Sequence, residues 1–296
     1  NELCVGDTGD AFPRGDGSLV NPYLICNKQQ LARLSNDYLL LDKDFRLGAD
    51  LDYQDTSFTI IGQQFRPYLG VFDGNGYTLS AITLQVSENS SYLAPFGYVL
   101  GGKIENLTIN GITITQSGST IVGGLVGRAE NASLINVHVK GLTMPAPSRS
   151  GGLVGDVVDS FLLNCSAQGE LLQHFGTDRS GGLAGRVINS DISSCSSEVK
   201  LTMTSQVADG VSEIGGLIGY SENSRVREVY AIGDIDYSNA SSTDSSVGPQ
   251  VIGGIIGGMS NTLLTQAYYA GKISVIANKL GGAVGVSIAP SLTENV

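Results

Sequence analysis

The sequence predicts an all-β chain: a right-handed parallel β-solenoid (β-helix) of about seven to eight coils, behind an N-terminal cap containing a short helix. Three observations predict it. A Gly-rich box recurs along the chain, apolar and turn-forming residues recur at fixed offsets from each box, and glycine is too frequent (40 of 296 residues) for helices of useful length.

The boxes are Gly123–Gly127, Gly151–Gly155, Gly181–Gly185, Gly215–Gly219, Gly253–Gly257 and Gly281–Gly285, with a weaker copy at Ala94–Gly97. Final glycines at 97, 127, 155, 185, 219, 257 and 285 give spacings of 30, 28, 30, 34, 38 and 28. Seven residues after each come Ile104, Leu134, Leu162, Ile192, Val226 and Leu264; ten after come Leu107, Val137, Cys165, Cys195, Val229 and Ala267. Such columns are apolar or small, as inward positions of a stacked coil must be. Four residues after stand Gly101, Asn131, Asp159, Asn189, Asn223 and Asn261, types that tolerate a left-handed turn. Glycine also recurs fourteen residues on, at 111, 141, 169, 233 and 271, and the glycines at offsets 0 and 14 are read as two further bends.

This stem keeps one length in every coil. The return path from offset 14 to the next final glycine takes 16, 14, 16, 20, 24 and 14 residues, so all length variation falls on one edge of the rod. In repeat proteins such insertions map to one face, often the binding face. The candidate ligand-binding residues are therefore Asp209, Asp236, Tyr237, Asn239 and Asp244, in the two longest return segments.

Residues 1–71 read as the cap and 72–296 as the solenoid, continuous with it. A cap is needed because a bare end exposes apolar cross-section and unpaired strand edges. Asn27–Asp37 has the pattern of a short amphipathic helix with Asn27 as N-cap and Leu31 and Leu34 inward. Phe72 is aligned as the start of a degenerate first coil, with Leu79, Ile82 and Leu84 seven, ten and twelve residues later. Only Val286–Val296 follow the last box; the expectation is either a rod that continues in a longer parent protein or end-to-end pairing with another chain.

Composition narrows the partners. A net charge of -11 disfavours a nucleic-acid backbone, and no apolar run reaches the ~18 residues that membrane insertion by a helix requires. Cys4 and Cys26 flank a Gly/Asp-rich loop and form a candidate structural disulfide. Cys165 and Cys195 share one column in successive coils; they read as small buried hydrophobes, the alternative being a disulfide that the stacking distance suits but the parallel side-chain directions do not.

The boxes resemble the GLUG motif, and the lead-in resembles that of GLUG-motif repeat proteins: Asn21–Ile25, Gln30 with Leu31, Tyr38–Leu40, Asp50–Asp52, Ile61 with Gly62, and Val71–Leu79. The resemblance implies a secreted or cell-surface bacterial protein, commonly adhesin-like and sometimes joined to a protease, and it implies no catalytic residues. Pro95 and Phe96 in the first box, Ala283 in the last, and Val199 at a bend depart from the pattern.

Few residues invite catalytic chemistry. His138 and His174 occupy non-equivalent positions, and no metal site is expected. No cofactor is expected either, although Ca²⁺ would suit oxygen-rich groups such as Asp50, Asp52 and Asp55, or Asp209, Asp236 and Asp244. Arg14–Asp16 spells a short cell-binding tripeptide that its Gly/Asp-rich surroundings also account for. Asn106, Asn136 and Asn164, nine residues after successive boxes, are positioned for a structural amide ladder. The functional expectation is a non-enzymatic extracellular scaffold or adhesion module, displaying binding loops to a cell-surface glycan or protein. The alternatives are a self-assembling filament subunit and a polysaccharide-active β-helix enzyme; the latter needs carboxylates converging on one face.

Overall fold

A repeat whose apolar residues sit at fixed offsets can bury them only by stacking each copy on the next. The chain does so as a parallel β-solenoid of about seven turns. The computed structural model describes residues 4–85, 91–115, 121–145, 149–173, 179–203, 212–237, 250–275, 279–288 and 291–296. Three parallel sheets run along the rod. The coil at Ile121–Pro145 shows the plan: Ile121–Gly123 belongs to sheet 3, Val126–Glu130 to sheet 2 and Ser133–Pro145 to sheet 1.

Register is strict. Phe96, Val126, Val154, Ala184, Ile218, Ile256 and Val284 lie one above another in sheet 2. Leu125, Leu153, Leu183, Leu217 and Ile255, the apolar centres of five boxes, are fully buried. The offset-seven residues Ile104, Leu134, Leu162, Ile192, Val226 and Leu264 are buried with them.

The final glycines do not mark bends. Gly127 lies inside the strand Val126–Glu130, and the corner falls at Gly124 and Leu125. Steric room explains glycine inside a strand: a Cβ on Gly127 would stand 2.6 Å from the carbonyl oxygen of Gly97, and one on Gly257 would stand 2.7 Å from that of Gly219. The preceding coil's backbone occupies the side-chain position.

The first coil is also out of the expected alignment. Phe72 pairs with Ile104 at offset seven, and Leu79, Ile82 and Leu84 pair with Ile109, Ile112 and Ile114. Spacing alone is ambiguous, because Ile104, Leu107 and Ile109 repeat the intervals of Ile109, Ile112 and Ile114. Parallel stacking begins still earlier, since Tyr23 pairs with Phe45 and Phe45 with Phe72.

The helix spans Lys28–Asn36, with the Asn27 side chain accepting from the Gln30 N–H at 2.9 Å. It buries Leu31 and Leu34 against the first strands. Buried Gln30 is bonded at both ends of its amide: its Oε1 accepts from Cys26 N–H (2.6 Å) and its Nε2 donates to the Ala11 carbonyl (2.7 Å). Cys4 and Cys26 are joined by a disulfide with Cα atoms 5.4 Å apart. Cys165 and Cys195 are free and buried; their thiols donate to the carbonyls of Leu163 (3.3 Å) and Ser193 (3.1 Å). Among the described residues no helix is long and apolar enough to cross a membrane.

Candidate functional site

The stem turns from sheet 2 into sheet 1 at one residue per coil. Asn131, Asp159, Asn189, Asn223 and Asn261 all take left-handed φ values, between 46° and 49°. Short polar side chains reach this conformation more cheaply than branched or apolar ones. Their side chains remain exposed and partly linked along the rod: Asn189 Nδ2 donates to Asp159 Oδ1 (3.1 Å) and Asn261 Nδ2 to Asn223 Oδ1 (2.7 Å).

The following residue faces inward and forms a second ladder. Ser160 Oγ accepts from Ala132 N–H, Ser190 Oγ from Ser160 N–H and Ser224 Oγ from Ser190 N–H, each at 3.0 Å. Each hydroxyl also donates to the carbonyl two residues before it, at 2.6 Å. These hydroxyls are satisfied within the fold. Above them runs an open groove of about 720 Å³, with the Asn/Asp column on one side and Phe161, Asp191, Arg225 and Leu263 on the other.

A second left-handed column lies nine residues after the box, at Asn106, Asn136, Asn164, Ser194, Glu228 and Gln266. Asn164 Nδ2 donates to Asn136 Oδ1 (3.1 Å), Asn136 Nδ2 to Asn106 Oδ1 (3.0 Å) and Asn106 Nδ2 to Asp73 Oδ1 (3.1 Å). His138 joins this ladder: one ring nitrogen meets Ser166 Oγ at 2.8 Å and the other Asn136 Oδ1 at 3.2 Å. Burial, then the charge of Lys140, holds the His138 pKa below the usual imidazole value.

The angle between sheets 2 and 3 carries a charged cluster. Asp156 is fully buried and meets Arg149 (2.6 Å), Arg186 (2.9 Å) and Arg128 (3.5 Å) from three successive coils. Arg128 also pairs with Glu130 at 2.8 Å, and the Tyr98 hydroxyl donates to Glu130 at 2.8 Å. The Tyr98 and Arg128 bonds hold the Glu130 carboxyl below its ordinary range, while burial and then Glu130 raise the Tyr98 hydroxyl. Arg179 lies over the Tyr220 ring at 4.3 Å and pairs with Glu213 at 2.8 Å.

The residues selected from the return path are not brought together among the described residues. Asp209, Asn239 and Asp244 lie outside them, as does His174. Asp236 and Tyr237 belong to the strand Ile235–Tyr237 at the edge of that path, with Asp236 between Thr202 and Ser274 in the sheet. Asp50 and Asp52 accept backbone N–H bonds from Thr78 (2.8 Å) and Gln54 (3.0 Å), and no group of three metal-ligating side chains occurs among the described residues. In the tripeptide Arg14–Asp16, the Asp16 carboxylate is held by Ser18 N–H (3.0 Å) and Asn21 Nδ2 (3.2 Å). The Ser18 bonds, first, and that of Asn21 lower its pKa.

Sequence reasoning missed both the groove and the arginine cluster. The serine floor was available as an offset-five column, and Arg128, Asp156 and Arg186 as an alternating offset-one column, each visible only by counting a further register.

Comparison with known proteins fits this architecture. Over 160 residues, 49% of this chain, it is 29% identical to halomucin of Haloquadratum walsbyi. Over 124 residues, 39% of the chain, it is 32% identical to a protein of Evansella cellulosilytica described as a candidate Gly-rich membrane protein. The matches span 2% and 14% of those relatives' lengths. Among solved structures, a candidate immunoglobulin A1 protease from Bacteroides ovatus superposes with a TM-score of 0.54 at 18% identity, over 93% of this chain and 87% of that one. Another, described as an IgA1 protease, gives 0.58 at 16% identity over 91% of this chain and 21% of that one. At such identities the likeness is one of fold. Residues 118–143 match the family model described as the GLUG motif, so this chain carries that motif within its solenoid.

Proposed function

We propose that this chain is a non-catalytic, rod-shaped module of a secreted or cell-surface protein, which holds binding surfaces at fixed spacing for a glycan or protein ligand. The observation that carries this reading is the near-constant stem: sheet 2 keeps one register coil after coil and sheet 1 slips by a single residue, between Val139 and Leu142, while the return path differs in length by up to ten residues. A scaffold that must present variable segments without disturbing its core has this form. The likeness to halomucin and to a Gly-rich membrane protein supports a place outside the cell.

The test is binding of the labelled protein to bacterial and epithelial cells and to a glycan array, repeated after deletion of residues 238–246. Saturable binding is expected, reduced by the deletion if those residues form the contact. Absence of saturable binding to every surface would sink the display reading. Incubation with immunoglobulin A1 and with polysaccharides is expected to leave both intact; time-dependent cleavage would overturn the non-catalytic part.

A further inference from the structure

The groove between sheets 2 and 1 has the chemistry of a binding site for an extended sugar chain. Its serine floor is satisfied internally, so the groups it offers a ligand are the exposed side chains along its walls. An amide has two N–H donors and a carbonyl with two lone pairs. The ladder uses one N–H each of Asn189 and Asn261, leaving donors and acceptors pointing outward. The half-buried Phe161 ring supplies an apolar surface opposite them. Hydroxyl-bearing rings with apolar faces need both kinds of contact.

Periodicity selects among ligands. The polar column repeats once per coil, at ~4.8 Å, so five coils span roughly 19 Å. A pyranose in an extended, linear chain advances by a closely similar step. A peptide fits less well: the backbone N–H and C=O groups here bond along the rod axis between coils, so no strand edge lines the groove for a peptide to extend. Charge selects further. Asp159 and Asp191 outnumber Arg225 along the groove, and the whole chain carries -11, which disfavours a polyanion.

We infer that this groove binds a neutral linear polysaccharide lying parallel to the rod, one sugar unit per coil. The inference rests on the display reading above and locates a ligand on the stem instead of the return segments.

The test uses isothermal titration with cello-, xylo-, manno- and chito-oligosaccharides of two to six units, against the full chain and its Asn189→Gly/Asn223→Gly variant. Glycine adopts the left-handed conformation without strain, so the variant removes the amides and keeps the turns; an unchanged circular dichroism spectrum verifies this. For at least one series, affinity should rise with each added unit up to about five and then level. The double variant should lose tenfold or more. Binding that is independent of length, or unchanged in the double variant, overturns the inference. So does binding only to acidic polymers or to peptides. If cell or array binding is lost on deleting 238–246 but persists in the double variant, the display reading stands and the groove assignment falls.

Discussion

At the scale of single residues, the left-handed corner positions explain why the sequence alternates so narrowly among Gly, Asn and Asp. An L-residue with an ordinary side chain pays roughly 1–2 kcal/mol to enter this conformation. Asn223→Ala should therefore lower stability by about 1–2 kcal/mol, whereas Asn223→Gly should stay within a few tenths; urea denaturation of both variants checks this. His138 provides a second, pH-dependent case. Its folded pKa is lowered, so the unfolded chain binds the proton more readily. Its contribution is then fully present above the unfolded value near 6.5 and is lost as pH falls through that value toward the folded one. Urea midpoints measured from pH 7.5 to 5 should fall below about 6.5, and the fall should be shallower in His138→Asn. These positions were readable in the sequence because turn chemistry restricts residue type. The partners of His138 were not, since Ser166 joins it only through register between coils.

At the scale of elements, spacing set the stem but left its phase ambiguous. Inward residues recur with intervals of three and two twice within the same coil, so Phe72 and Leu79 each fit more than one place. Only the stacking of Phe45 on Phe72 and Phe72 on Ile104 decides it. The Asp156 cluster is likewise a product of stacking, joining side chains from neighbouring coils. Removing a buried charge leaves its partners uncompensated. Asp156→Ala should cost about 3 kcal/mol, moderated because the arginine side chains are 21–25% exposed and regain water. A lowered urea midpoint at constant slope would register that loss. A stabilising effect would show that the cost of burying the Asp156 carboxylate exceeds its attraction to the three guanidinium groups.

At the scale of the whole molecule, the bonds that hold coil to coil lie parallel to the rod axis, and each coil contacts chiefly its two neighbours. Under tension applied through the chain ends, such a rod has no shared interface to resist the load at once. It uncoils from an end, one turn at a time. The 28 residues from Gly127 to Gly155 pay out as much as about 90–100 Å of extended chain when their turn opens. A coil that adds ~4.8 Å to the resting rod thus stores about twenty times that length as slack. Under pulling, the solenoid behaves as a graded shock absorber whose individual yields follow the order of its repeats.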